Sequence, residues 1–420
     1  MDRCLDMLHL YTAPRFLQQK PATPLKPSNP LQLLPVFEGR KKKKETIAVV
    51  AGSYDPPTNG HLWLVDEARK VFDKVLVVMA VNPDKRPTFN DTARAEMFQE
   101  IIQDRPGVSF HTIQRQFLVD FAKQHKATAL IRGVRNATDL EQETALSEFN
   151  RALAPNIPTM VMIPPKDLQK LSSSFVRGMV GYVGWRDLVR PLVPPVVMTQ
   201  LTKLYLTQRW DKLAQKLGLD PVLAKAELTR LTEAYGEKSR YYHTMDHIIE
   251  CLEQLDKYLD EGTNKAPKMP EVLELSLWFH DVVDERGNPQ GVEQSAEKAL
   301  AFYQTACKSS NPEVVDQLKA NVMITKHFAP KSEVINLDTQ LMHDIDLSIL
   351  GQASKRYKRY QEQILKEYGP LYGAEYASGR AKVMQQFLDR PQIYLTDWFK
   401  GQYERSARRN IAKEIAVLKR

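Results

Sequence analysis

The run Gly52-Ser53-Tyr54-Asp55-Pro56-Pro57-Thr58-Asn59-Gly60-His61 joins an apolar segment, Ile47 to Val50, to a helix-patterned stretch, His61 to Phe72. Strand, glycine-containing turn and helix in that order bring the turn's N–H groups and the positive helix end to one spot, beside the Ser53 hydroxyl and the His61 imidazole. A polyphosphate suits that spot, and the run reads as half of a nucleotidyl-transfer site. Asn82-Pro83-Asp84-Lys85-Arg86-Pro87 adds a flexible ammonium, and Ile131-Arg132-Gly133-Val134-Arg135 flanks a glycine with two guanidiniums. Asp139, Glu141 and Glu143 open the next helix, and Ser172, Ser173 and Ser174 put three hydroxyls at a helix start.

A second set of reactive residues lies further on. Five of the nine histidines, His243, His247, His280, His327 and His343, fall after residue 202. His247, the pair His280-Asp281 and one of Asp344 or Asp346 make two imidazoles and two carboxylates, a mixed set for a divalent transition metal or Mg²⁺. A bare His-Asp pair carries little, since His343-Asp344 is another; the apolar segment Leu273 to His280 that leads into the first strengthens it. His243 and His327 are supporting groups, substrate contacts or hydrogen-bonded core residues. Arg380, Arg405, Arg408 and Arg409 are candidates for substrate phosphates or a solvated helix face.

The elements that must position these groups follow from hydrophobic periodicity. Strands are expected at Ile47 to Ala51, Val75 to Val81, Val108 to Ile113, Ala127 to Ile131 and Thr159 to Ile163. Helices are expected between them, at His61 to Phe72, Asp91 to Gln103, Leu118 to His125, Ala137 to Leu153 and Ser172 to Val180. That alternation predicts an α/β doubly wound, Rossmann-like parallel sheet of five strands, which delivers each motif to the carboxyl edge where ligands bind. Beyond about Thr202 apolar residues recur at helical spacing, which predicts an all-α domain. The expected divisions are a leader over 1–45, an α/β domain over 46–204 and a helical domain over 205–420.

With 420 residues and 43% hydrophobic content, the chain is long enough for more than one buried core. The formal charge of +8 is concentrated in the proline-rich leader, where residues 1–45 carry nine Lys/Arg against four Asp/Glu. The body is near balance, so no nucleic-acid footprint is expected, and the leader reads as a disordered basic arm. No uncharged stretch reaches the ~18 apolar residues of a membrane span. Three cysteines without a C-x-x-C pair fit a reducing compartment, and a cytoplasmic location is the expectation.

Taken together, the motifs over roughly 46–200 resemble phosphopantetheine adenylyltransferases of the nucleotidyltransferase superfamily. The resemblance implies transfer of the adenylyl group of ATP, with Mg²⁺, to 4′-phosphopantetheine, giving dephospho-coenzyme A and pyrophosphate. It implies that Ser53, Tyr54, His61, Gly133, Val134, Arg135, Glu143, Ser172, Ser173 and Ser174 contact ATP. Ser53, Lys85, Leu118 and Arg132 would hold the acceptor, with His61, Lys85 and Arg132 serving catalysis and His61 stabilising the transition state. A homo-oligomer is expected on the same ground. Ser53 stands where the family usually has threonine, and Leu168 to Lys170 lack the aromatic residues often found before the serines. Nicotinate mononucleotide is the rival acceptor, and a nucleotide-sensing role for this half is the rival from another class.

The segments Tyr242-His243…His247, Trp278-Phe279-His280-Asp281, Asp344 to Gly351 and Gly379-Arg380…Phe387 to Arg390 resemble the HD-domain phosphohydrolase superfamily. The resemblance spans roughly 205–418 and implies His247, His280, Asp281 and Asp346 as ligands of a divalent metal whose identity stays open. A metal-free interaction module is the alternative.

Overall fold

The computed structural model describes residues 44–81, 86–261, 265–328 and 335–419. The leader through residue 43, and Lys85 with its neighbours Asn82 to Asp84, lie outside the described residues. Glu45–Arg420 is a single compact unit.

Its first part alternates strand and helix. The order is β1 (Ile47–Gly52), α1 (Asn59–Val71), β2 (Lys74–Val81), α2 (Asp91–Ile102), β3 (Val108–Gln114), α3 (Leu118–Gln124), β4 (Ala129–Gly133), α4 (Ala137–Leu153) and β5 (Thr159–Met162). The short helices α5 (Lys166–Gln169), α6 (Ser173–Met179) and α7 (Trp185–Val189) follow. All strand pairs are parallel and the sheet order is β3-β2-β1-β4-β5, the doubly wound arrangement expected. The order reverses between β1 and β4, which opens a crevice at their carboxyl ends. β4 starts two residues later than the sequence pattern suggests. Ala127 N–H still bonds Ala122 at the end of α3, and the Thr128 hydroxyl bonds Ile47, so these residues connect rather than pair.

Alternation along the strands splits the core. Val49, Leu76, Val78 and Leu130 face α3, while Val50, Val77, Met79 and Ile131 face α1 and α2. This second layer does not stop at the sheet. It continues through Trp185, Val197, Leu201, Tyr205 and Trp210 to Trp278 and Phe279.

The residues linking the two halves lie on α8 (Pro195–Lys216), an unbroken 22-residue helix. The division expected at 204/205 therefore falls inside a helix, because α8 buries Val197 and Leu201 on one side of that point and Leu206 and Trp210 on the other. Among the described residues, the regular structure of the remainder is helical apart from an isolated bridge between Leu219 and Cys307. It comprises α9 (Pro221–Tyr235), α10 (Met245–Asp260), α11 (Pro270–Phe279), α12 (Gly291–Ala306), α13 (Pro312–Met323), α14 (Leu337–Asp346), α15 (Ser354–Tyr372), α16 (Tyr376–Leu388) and α17 (Asp397–Leu418). Among the described residues, no helix is long and apolar enough to cross a membrane.

Candidate active site and metal centre

The crevice at the β1 and β4 ends holds a cavity of about 510 Å³. Ser53, His61, Arg132, Gly133, Arg135, Glu143, Ser172, Ser173 and Ser174 all line it, so segments far apart in sequence meet at one sheet edge. Side chains strap the segments together. Asp55 accepts N–H bonds from Thr88 and Phe89 at 2.9 Å, Ser173 donates to the Pro56 carbonyl at 2.8 Å, and Arg177 reaches the Asp55 carbonyl.

His61 is the third residue of α1 and replaces the acidic residue of a capping box. The Thr58 backbone N–H donates to its Nδ1 at 3.0 Å. With Nδ1 an acceptor, the neutral ring carries its proton on Nε2. Burial, followed by the charge of Arg135, lowers the His61 pKa to about 4. At neutral pH it is therefore an uncharged donor held in one orientation.

Not every expected contact reaches the cavity by its side chain. Tyr54 turns inward at positive φ, packs on Phe98 and donates to the Val50 carbonyl at 3.1 Å. A Cβ on Gly52 would sit 2.8 Å from the Tyr54 ring, so the inward turn requires glycine there. Val134 is buried, and Leu118 packs at the start of α3 with Val119 and Phe121; neither lines the cavity. Arg132 and Glu143, expected on acceptor and ATP respectively, hold each other through bonds of 2.7 and 2.6 Å, while Arg132 also donates to Ala51. Arg135 is braced in the same way by Asp139. Arg86, Arg94 and Arg177 line the cavity as well, and sequence spacing did not single them out.

The helical part contains a larger cavity of about 890 Å³, with Asp281 and Asp346 in its wall. Behind them His247 from α10 and His280 from the end of α11 place their Nε2 atoms 3.1 Å apart. Asp281 Oδ2 lies 3.4 and 3.1 Å from these two nitrogens, and Asp346 Oδ1 lies 3.3 and 3.5 Å from them. For ligand bonds of about 2.0–2.2 Å, donors around one ion are spaced by ~3.0 Å in octahedral and ~3.4 Å in tetrahedral geometry. The donor set therefore fits a divalent metal. His280 Nδ1 also donates to the Leu277 carbonyl at 2.9 Å, which reserves Nε2 for a ligand bond.

The electrostatics agree with that fit. Burial pushes His280 down, but Asp281 and Asp346 override it and hold the imidazole well above its ordinary pKa. Burial likewise pushes Asp346 up, and bonds from His247, His280 and His327 hold it well below the carboxylate range. Positive charge is thus wanted between these donors, and a cation in place of the imidazole protons supplies it.

Asp344 takes a different role from Asp346. It accepts from the backbone N–H groups of Leu395 and Thr396 and from the Thr396 hydroxyl, each at 2.7 Å, anchoring the start of α17. His327 Nε2 bonds Asp346 Oδ2 at 2.9 Å. His243 Nδ1 pairs with Glu367, whose carboxylate also accepts the Tyr241 and Tyr242 N–H groups; this partner, 124 residues away, has no sequence signal. Of the four candidate arginines only Arg380 lines the cavity, held by Glu414 and the Tyr360 hydroxyl. Arg408 is spent on Glu404 and on loop carbonyls, while Arg405 and Arg409 are not in the wall.

Comparison with known proteins bears on the α/β half. The family described as Cytidylyltransferase-like matches residues 49–179. The phosphopantetheine adenylyltransferase of Neisseria meningitidis serogroup C is 38% identical over 154 residues, covering 37% of this chain and 91% of that protein. The one from Chromobacterium violaceum is 37% identical over 161 residues, covering 38% of this chain and 98% of its own length. That of Streptococcus pyogenes serotype M2 is 39% identical over 158 residues, with 38% and 95% covered. Since nearly the whole length of these relatives is matched at such identity, the chain belongs, through its α/β half, to the phosphopantetheine adenylyltransferase family.

Proposed function

We propose that the α/β half transfers the adenylyl group of ATP to 4′-phosphopantetheine. An acceptor phosphate oxygen bonds to the α-phosphorus, the bond from that phosphorus to the bridging oxygen breaks, and pyrophosphate leaves with the electron pair, giving dephospho-coenzyme A. Such a reaction needs positioning and charge neutralisation rather than a covalent intermediate or a strong base. The observation that carries the reading is His61, whose Nδ1 is occupied by a backbone N–H, leaving Nε2–H as a preset donor for the α-phosphoryl oxygens.

Arg135, Gly133 and the Ser172 to Ser174 segment take the triphosphate side, and Ser53 serves both substrates. Tyr54 and Val134 act through backbone, since their side chains are buried. Arg132, oriented by Glu143, takes the acceptor phosphate together with Lys85, and Leu118 is assigned to the acceptor by resemblance alone. Mg²⁺ accompanying the triphosphate supplies further neutralisation. In α4 no residue is buried, and Leu140, Leu146 and Phe149 are about half exposed, which supports a homo-oligomer that covers this face.

The test is pyrophosphate release from ATP with either acceptor. Release with 4′-phosphopantetheine and none with nicotinate mononucleotide is expected; the reverse overturns the assignment.

The helical half reads as a metal-dependent phosphohydrolase, on the strength of two imidazole nitrogens 3.1 Å apart, each within 3.1–3.5 Å of an Asp281 and an Asp346 oxygen, at a cavity wall. A metal held there by His247, His280, Asp281 and Asp346 would acidify a water and polarise a phosphoryl oxygen. Arg380 is preset to receive a substrate phosphate, and the His243–Glu367 pair orients an imidazole on the same wall. Metal analysis of the purified chain and of His280→Ala tests the reading; metal at background in both defeats it.

A further inference from the structure

Arg240 lies in the connection between α9 and α10, ahead of His247, and its side chain is 2% exposed. Its guanidinium donates to three backbone carbonyls, those of Asp281 at 2.7 Å, Val282 at 3.1 Å and His243 at 3.3 Å. The first two belong to the turn that follows α11 and carries His280 and Asp281; the third belongs to the segment that leads into α10 and His247. One planar group thus ties together the two segments that bring three of the four donors. Tyr235, whose ring centroid is 5.4 Å from the guanidinium carbon, donates its hydroxyl to the Trp278 carbonyl at 3.0 Å, so the end of α9 holds the last turn of α11 as well.

Arg240 does not serve an ordinary ion pair. Among the described residues its one carboxylate partner, Glu237, is half-exposed and 3.5 Å away. A buried cation is costly unless its donors are used, and here they are spent on main-chain oxygens just past a helix C-terminus, where the dipole favours positive charge. Glu367 accepts the N–H groups of Tyr241, Tyr242 and His243 in the same connection, which is therefore fixed by a cation at its carbonyl and by an anion at its N–H groups.

We propose that Arg240 is a positioning residue for the metal centre: by clamping the carbonyls of His243, Asp281 and Val282 it sets the separation of His247 from His280 and Asp281, and with it the affinity and coordination geometry of a bound divalent ion. The inference rests on reading His247, His280, Asp281 and Asp346 as a metal centre. Lysine is no substitute, because an ammonium offers its donors from a single nitrogen whereas the guanidinium fork spans two segments. Charge and position make opposite demands here. A cation near a divalent ion is unfavourable by charge alone, so removing it raises metal affinity if charge governs and lowers it if position governs.

Co²⁺ binding to the full chain, followed by equilibrium dialysis and visible absorbance, gives the test with Arg240→Lys and Arg240→Met. Both variants should bind Co²⁺ about 10- to 100-fold more weakly than the parent chain, and the d–d bands of the loaded variants should change in position or intensity. Adenylyl transfer within about 2-fold of the parent shows that the chain is folded. Parent-like affinity and bands in Arg240→Lys, whatever its urea midpoint, make Arg240 a stabilising residue only and overturn the inference. Tighter Co²⁺ binding in Arg240→Met also overturns it, since charge rather than position would then govern. If Arg240→Met fails to fold, Arg240→Lys decides. A parent chain that binds no Co²⁺ removes the metal centre and the inference with it.

Discussion

His61 at the sheet edge and His280 among the helices are both imidazoles in enclosed surroundings, yet their proton affinities are driven in opposite directions. Burial lowers both, but His61 then meets the guanidinium of Arg135 and falls to about 4, whereas His280 meets Asp281 and Asp346 and rises well above its ordinary value. His247 rises as well, with burial overcome by Cys251, Tyr242, Asp281 and Asp346. The sheet edge surrounds its imidazole with cationic and N–H groups and is prepared for an anion. The helical cluster surrounds its imidazoles with carboxylates and is prepared for a cation. Residue type therefore says little about the role of a histidine until its neighbours are known.

Variants at each site sharpen or break this contrast. The largest effect is expected from His61→Ala. Turnover in adenylyl transfer should fall about 100- to 1000-fold, or ~3–4 kcal/mol, with KM for ATP little changed, as for loss of a transition-state donor. Steady-state kinetics measure it, and metal content should stay as in the parent chain. Next, His280→Ala should weaken metal binding by about 100-fold, followed by equilibrium dialysis, with adenylyl transfer kept within about 2-fold. Loss of transfer in that variant would mean the two sites are not independent, an outcome the continuous α8 makes worth testing.

Arg135→Gln should raise KM for ATP by about 10-fold. The same change should move the ring titration of His61, followed by NMR, slightly upward from about 4, because the repelling charge is gone while burial, the larger cause of the depression, remains.

The smallest effect concerns stability. Folded His61 takes a proton only near pH 4, while the unfolded residue takes it near 6.5. Between those values the unfolded chain binds more protons, so this residue costs the folded form stability as pH falls from 6.5 to 4. Urea midpoints of the parent chain should drop further over that window than those of His61→Gln.

Much of the α/β half was legible because its signals are local. The boundaries of α4 coincide with the hydrophobic pattern, and the Ser53 to His61 run, the Arg132 to Arg135 run and the serines all sit where strand ends and helix starts deliver them. Glu367 carried no local signal, since no short-range pattern connects it with His243. The helical site was readable as a list of donors and not as a shape.

From the sequence alone came the order of elements, the edge of the sheet that bears the first site and the residue types available to the second. Those follow from period-2 and period-3.6 burial and from turn chemistry, which act over a few neighbouring residues. Tertiary structure alone decided that Tyr54 faces inward, that Arg132 is held by Glu143, that Asp344 anchors the start of α17 and that one helix runs through the expected division. Each depends on which distant surfaces pack together, and two carboxylates two residues apart on α14 point to different neighbours for that reason.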